Sequence, residues 1–224
     1  MDHADLRRSL VRHANRLQPL GLATGTSGNI SVRIAPGDHG GMLITPSGIA
    51  YDSLQPEDMV PVQFTGPGTA TWQHALDPSS EWLMHQAVYQ ARPEAGAVVH
   101  GHPTYATVLA IQALEIPALH YMVAAAGGAP IRCAPYHTYG TAALSVAAVA
   151  ALQDRKACLL EHHGLLAFEH DLDKAMWLAG EVETLAQQMV MCLSLGGPRV
   201  LPAAEVAVVV DKFSRYGLKT RQPR

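Results

Sequence analysis

Two short apolar runs, each ending in histidine and glycine, constrain the folding of this chain more than any other feature. They are Ala97-Val98-Val99-His100-Gly101-His102-Pro103 and Ala157-Cys158-Leu159-Leu160-Glu161-His162-His163-Gly164. Both are too short for a buried helix and suit strands inside a sheet. After the first, Pro103-Thr104 opens a helical pattern through Val108, Leu109 and Ile111, so a strand hands over directly to a helix. In extended chain, residues i and i+2 share a face, so His100 and His102 can hold one cation together. Taken alone, the pair reads equally well as a polar strand end. A catalytic zinc takes three protein ligands and an open position, and a structural one takes four. The second run offers His162 or His163 as the third imidazole, and Glu81 is a candidate carboxylate. Three imidazoles with a displaceable carboxylate suit zinc better than magnesium or calcium, which prefer oxygen shells.

The remaining pattern supplies helices and short strands in turn. Leu6, Leu10, Val11, Ala14 and Leu17 recur at helical spacing over 4–18, and Pro19-Leu20-Gly21 ends that helix. Strands are expected at 30–33, 42–44, 59–64 and 69–73, with hairpin turns at 35–41 and 66–68. Ser79 or Ser80 is the expected N-cap of a helix that carries Trp82, Leu83, Ala87 and Val88, which puts Glu81 in its first turn. There its structural role would be to complement the helix dipole. A strand near 131–133, a helix over 141–153, a long helix from Asp173 to about Leu195 and a last helix from Glu205 complete the pattern.

Three small hydroxylic loops punctuate this order: Thr24 to Asn29, Thr45-Pro46-Ser47-Gly48 and Asp77-Pro78-Ser79-Ser80. Each reads as an ordinary turn. Each also presents backbone amides and hydroxyls that suit an anion, and two of them could converge on one phosphate.

With 16 basic and 19 acidic residues in 224, the formal charge is −3, which gives no electrostatic case for nucleic acid or for an anionic membrane. Any phosphate must therefore be held locally. Length admits one α/β domain or two equally, and one is expected. The three cysteines, Cys133, Cys158 and Cys192, sit among apolar neighbours and read as buried free thiols. The first residues lack a basic region followed by an apolar run, and no stretch has the length of a membrane span, so a cytoplasmic protein is expected. Of the twelve histidines, His3, His13, His39, His74 and His170 stand among polar or turn residues and are expected to be solvated.

Five motifs occur in the order found in the class II aldolase/adducin family. They are Gly-Thr-Ser-Gly-Asn-Ile-Ser-Val-Arg (25–33), Leu-Ile-Thr-Pro-Ser-Gly (43–48), Pro-Ser-Ser-Glu-Trp (78–82), His-Gly-His-Pro (100–103) and Glu-His-His-Gly-Leu (161–165). The blocks at 116–128, 133–136 and 208–218 resemble the L-fuculose-1-phosphate aldolase branch in particular. The resemblance covers nearly the whole chain. It implies an α/β fold in one domain over 1–224, with a central, mainly antiparallel sheet covered by helices on both faces and residues 205–224 closing over the site. It also implies cleavage of a ketose 1-phosphate to dihydroxyacetone phosphate and an aldehyde. Carried over motif by motif, His100, His102 and His163 would bind one zinc ion per subunit, and His162 would be structural, on the opposite face of a strand. Glu81 would be a fourth ligand and then a proton-transfer group, given a dry pocket in which its pKa can rise. Thr26, Asn29, Ser47, Gly48, Ser79 and Ser80 would hold the phosphate. Tyr121 from a neighbouring subunit and Tyr216 in the tail would act on the aldehyde side of a homotetramer with its sites at subunit interfaces.

Gly101 and Pro103 depart from the Asn and Ala of the fuculose-phosphate branch, and the hairpin at 35–41 is longer. An aldolase for 5-deoxyribulose 1-phosphate or 5-methylthioribulose 1-phosphate shares the phosphate end. A methylthioribulose-1-phosphate dehydratase shares the three histidines. The 4-epimerase branch carries Asp where this chain has Glu81, and a non-catalytic adducin-like module has no need of the four metal-binding residues.

Overall fold

The computed structural model of the protein describes residues 3–34 and 40–213. The two apolar runs become fully buried strands, β5 (Ala97–Gly101) and β7 (Ala157–Leu160). They are separated by β8 (Gly164–Glu169), which is buried at every position and pairs antiparallel with both. The sequence reading missed β8, because a strand covered on both faces lacks the polar–apolar alternation that marks an ordinary strand. The other strands are β1 (Asn29–Ile34), β2 (Gly41–Ile44), β3 (Val60–Gly66), β4 (Thr69–Thr71) and β6 (Cys133–Ala134). They form one eight-stranded sheet in the order β4-β3-β2-β1-β5-β8-β7-β6. Every pairing is antiparallel except β6 with β7. The expected mainly antiparallel sheet is thus present; residues 35–39 of the expected hairpin turn lie outside the described residues.

Successive residues of a strand face opposite sides, and this splits the core in two. Val99, Leu159 and Leu165 pack with α1 (Ala4–Leu17), α3 (Thr104–Ile111) and α5 (Leu172–Ser194). Val98, Leu160 and Leu166 pack with α2 (Trp82–Ala91) and α4 (Ala142–Ala151) on the other face. Side chains such as Leu10, Leu109 and Val182 are buried, and complete burial of one such side chain contributes about 1.5–3 kcal/mol. The last described helix, α6 (Ala203–Phe213), buries Val206 against the first of these layers.

Three local expectations need correction. His13 is buried rather than solvated, with Nδ1 bonded to the Ser9 carbonyl oxygen and Nε2 2.9 Å from Asp173 Oδ1. Helical spacing from Leu10 and Leu17 puts it on the core face of α1. The helix after Ser79-Ser80 begins at Trp82, so Glu81 occupies the N-cap position and not the first turn. The expected burial of the cysteines holds for Cys158, whereas Cys133 and Cys192 are partly exposed; all three are free.

One long-range contact fixes the helix that follows the histidine pair. The first turn of α3 has no side-chain cap of its own. Glu183 of α5 replaces it, accepting hydrogen bonds from the amides of Tyr105 at 2.9 Å and Ala106 at 2.8 Å. Glu183→Ala should therefore lower unfolding stability by about 1.5–3 kcal/mol, the range for hydrogen bonds to a charged group. Urea denaturation at neutral pH measures it, and an unchanged midpoint would remove Glu183 from this role.

Candidate metal centre and phosphate cavity

Antiparallel pairing delivers the functional loops to one end of the sheet. The start of β1 lies beside the end of β5, with Asn29 opposite His100, and the end of β2 lies beside the start of β1, with Ile44 opposite Ser31. The turn from β7 into β8 arrives at the same end, because Leu165 lies opposite Gly101. Thr45 ties two of these loops together, its hydroxyl oxygen accepting from the Ile30 amide at 3.2 Å and its carbonyl oxygen from the Ser79 amide at 3.0 Å.

At that end His100, His102, His163 and Glu81 each offer a ligand atom, all within 4.8 Å of one another. His100 Nε2 lies 3.0 Å from His102 Nε2 and 3.1 Å from Glu81 Oε2, and His163 Nε2 lies 3.2 Å from Glu81 Oε1. His100 and His102 do face one point, and of the two neighbouring histidines it is His163 that joins them. His162 is not on a strand at all. It sits in the β7–β8 turn at φ 53° with its side chain 54% exposed. His163, next to it, turns inward.

Close packing at two glycines permits this approach. A Cβ on Gly164 would come within 2.3 Å of the Gly101 carbonyl oxygen and 2.8 Å of the His102 ring. Gly28, at φ +81°, would bring a Cβ to 2.9 Å from the His100 carbonyl oxygen.

The donor set fits a divalent transition metal. His100 Nδ1 lies 2.8 Å from the Leu165 carbonyl oxygen, which can only accept, so Nδ1 carries the hydrogen and the Nε2 lone pair faces the cluster. Glu81 is buried, and its Oε1 makes no well-aligned hydrogen bond, with His163 Nε2 3.2 Å away, an arrangement that a cation between them would satisfy. Burial pushes the Glu81 carboxyl up, but His100 and His163 beside it more than offset this and hold it well below the usual carboxylate range. Glu81 is thus buried, while its proton affinity moves in the opposite direction to the one expected. Burial pushes His100 down, and Glu81 outweighs it to raise the net value. Burial, then the charges of His100 and His163, push His102 down to about 4, which keeps it neutral and ligating near pH 7.

A cavity of about 390 Å³ opens beside the cluster. Thr26, Asn29, Ser47, Gly48, Ser79 and Ser80, the six residues expected around a phosphate, all line it together with Glu81, His102 and His163. Among the described residues, no lysine or arginine lines it. The Asn29 side chain donates one amide hydrogen to Glu81 Oε2 at 3.0 Å, which leaves the other for a ligand.

Several residues of the site were not singled out from the sequence. Tyr136, His137 and Tyr139 line the cavity as well, together with His162. Tyr136 lay within a motif that had received no role, and its amide is held by Glu161 Oε2 at 2.8 Å. The Tyr51 hydroxyl lies 2.8 Å from the Ser27 carbonyl oxygen and 2.7 Å from that of Gly28, anchoring the first loop. Tyr121 does not line the cavity of its own chain; it lies half exposed at the start of a 3-10 segment, Tyr121–Ala126. Tyr216 and the tail from 214 onward lie outside the described residues, and α6 does not contribute to this cavity. Among the described residues, no helix is long and apolar enough to cross a membrane.

The model of the class II aldolase and adducin N-terminal domain matches residues 8–190. An L-fuculose phosphate aldolase of Escherichia coli is 46% identical over 223 residues, covering 99% of this chain and 100% of the relative. A 5-methylthioribulose-1-phosphate/5-deoxyribulose-1-phosphate aldolase of Rhodospirillum rubrum is 47% identical over 218 residues, covering 97% and 95%. A solved structure of an L-fuculose 1-phosphate aldolase superposes with a TM-score of 0.87 at 38% identity, covering 94% of this chain and 96% of that one. The chain belongs to the class II aldolase and adducin family. It is an aldehyde-lyase of the class II, metal-dependent kind, with a Glu/His cluster suited to the metal.

His102→Ala should lose bound metal and aldolase activity together, since three imidazoles define the site. Metal content by mass spectrometry of the purified protein, measured beside turnover, checks this. Full activity in a metal-free variant would contradict it.

Proposed function

We propose that this protein is a zinc-dependent aldolase that reversibly cleaves a ketose 1-phosphate of the L-fuculose 1-phosphate type into dihydroxyacetone phosphate and an aldehyde. The observation that carries this reading is the convergence of the Glu81–His100–His102–His163 cluster and six hydroxylic or amide-bearing residues on one cavity. The nitrogen-rich donor set favours zinc, one ion per subunit. The same chemistry and the full-length kinship support a cytoplasmic enzyme on small sugar phosphates, working as one domain over residues 1–224.

At one end of the cavity, Thr26, Ser47, Ser79 and Ser80 offer hydroxyls, and Asn29 and Gly48 offer amide hydrogens. The cap of α2, with Ser79, Ser80 and Glu81, lines the same cavity. A phosphate held this way needs no lysine or arginine. At the other end, His100, His102 and His163 would hold the metal, with Glu81 as an exchangeable fourth ligand. When bound, the cation supplies Lewis-acid stabilisation of the negative charge that develops as the C3–C4 bond breaks. Glu81, buried and held ionised, accepts the proton of the C4 hydroxyl and returns a proton to the dihydroxyacetone phosphate fragment.

The aldehyde fragment faces the wall of Tyr136, His137, Tyr139 and His162. Tyr121 does not line this cavity in its own chain, so its role at the site is assigned to a neighbouring copy. In a homotetramer with interfacial sites, Tyr121 of a neighbouring copy hydrogen-bonds the oxygen that becomes the aldehyde, and Tyr216 with the tail closes over the substrate. The Rhodospirillum rubrum relative, as similar as the Escherichia coli one, carries a second reading: the aldehyde end accepts the 5-methylthioribulose or 5-deoxyribulose skeleton instead.

A panel of ketose 1-phosphates with zinc supplied and coupled detection of dihydroxyacetone phosphate tests the function directly. Cleavage of L-fuculose 1-phosphate as the fastest reaction supports the first reading, and preference for the other two supports the second. Substrate consumption with no dihydroxyacetone phosphate would overturn both. Glu81→Gln should keep its metal yet slow cleavage by about two to four orders of magnitude, the range for loss of a general acid/base. Mixed with Tyr121→Phe chains and reassembled, it should regain part of the lost activity, because some interfaces then combine intact groups. Failure of every mixture to recover activity would place Tyr121 outside the shared site.

A further inference from the structure

Behind Glu81, on the side away from the cavity, lies a run of buried polar groups that the proposed mechanism does not use. Asn29 Nδ2 lies 3.0 Å from Glu81 Oε2, and Asn29 Oδ1 lies 2.6 Å from His85 Nε2. His85 Nδ1 lies 2.7 Å from Ser31 Oγ, which lies 2.8 Å from the Tyr89 hydroxyl. All five residues are buried, and His85 is completely so. Two elements build the run. Ser31 and Asn29 alternate along one face of β1, and Glu81, His85 and Tyr89 recur every fourth residue along α2 and its cap.

The chemistry of the ends fixes the direction of every bond. An ionised carboxylate only accepts, so the amide nitrogen of Asn29 must face Glu81 and its carbonyl oxygen must face His85. That oxygen also only accepts, so His85 Nε2 must carry the ring hydrogen. Burial, followed by the charge of His100, pushes His85 down to about 3 despite the opposing pull of Glu81, so the ring carries one hydrogen and not two. Nδ1 is then an acceptor, Ser31 donates to it, and the Ser31 oxygen accepts from Tyr89. Reversal of the Asn29 amide would set a carbonyl oxygen against the carboxylate, so the network has one satisfied arrangement.

We propose that His85 is a positioning residue for the aldolase reaction, locking the Asn29 amide so that it holds Glu81 by Oε2 and leaves Oε1 free for the metal or a proton. The inference rests on the reading of Glu81 given above. It also assigns Asn29 a second role, since this residue both lines the phosphate cavity and holds the carboxylate.

Three variants of the holoenzyme test this: His85→Phe, which keeps a ring without hydrogen bonds, Asn29→Ala, and the double variant. His85→Phe should lower kcat by about 10–100-fold, as loss of an outer partner of a metal site does, with KM nearly unchanged. The double variant should be no slower than Asn29→Ala alone, because the two act as one unit. His85→Gln, which can present an N–H to Asn29, should recover part of kcat. An unchanged kcat, a rise in KM alone, or losses that multiply would overturn the proposal. A readout independent of turnover is the 15N spectrum of the His85 ring in the wild-type protein: the neutral Nε2–H tautomer is expected, and an Nδ1–H or doubly protonated ring would overturn the proposal even if His85→Phe fails to fold. Wild-type protein without aldolase activity would instead sink the functional reading, and the tautomer would still judge the network.

Discussion

A carboxylate buried among three imidazoles at one end of a sheet is the constraint on which the other features depend. Taking Glu81 out of water carries a desolvation cost of several kcal/mol for an unpaired ion, so the fold must surround it with donors and positive charge. It does so from three directions. The strands β5 and β8 contribute His100 and the turn carrying His163, β1 contributes the Asn29 amide, and the cap of α2 holds Glu81 itself. Only a sheet with this register places Asn29 against His100 and Leu165 against Gly101. Glycine at 164 then lets the turn close over His102 without a clash.

The same geometry explains how a chain of net charge −3 can present a site for a dianionic group. Fixed amide and hydroxyl dipoles line one end of the cavity, and the candidate metal centre sits beside them. A cradle neutral among the described residues, next to a bound cation, would place an anion at one spot. Orientation of the substrate then follows from the distance between the two features, which is set by the anchored loops and not by long flexible side chains. Tyr136, His137, Tyr139 and His162, which also line the cavity, would be where two relatives of nearly equal identity but different substrate names are told apart.

How much of this was legible depended on whether the signal was local. His100 and His102 could be paired from the sequence because strand periodicity is a two-residue rule. The hydroxylic loops were legible for the same reason, since each keeps its donors within five or six residues. The choice of His163 over His162 rests on a left-handed residue in a turn, which neither spacing nor composition reveals. β8 was missed because burial on both faces erases alternation, and His13 was misplaced because its partner, Asp173, lies far away in sequence. His85 sits four residues after Glu81, so its place on the helix was visible; its burial and its hydrogen-bond direction were not, because they arise from packing against β1. The family motifs added what periodicity could not, and the cavity brings most of those residues together, Tyr121 excepted, while Tyr216 lies outside the described residues.

The central claim is that one cation sits among these four side chains. Anomalous diffraction at the zinc edge, from crystals of the zinc-loaded protein, tests it most directly. The account predicts a peak about 2.0–2.1 Å from the Nε2 atoms of His100, His102 and His163, the normal zinc–imidazole distance, with Glu81 as the fourth neighbour. A peak coordinated elsewhere on the chain, or by His162 in place of His163, would contradict it.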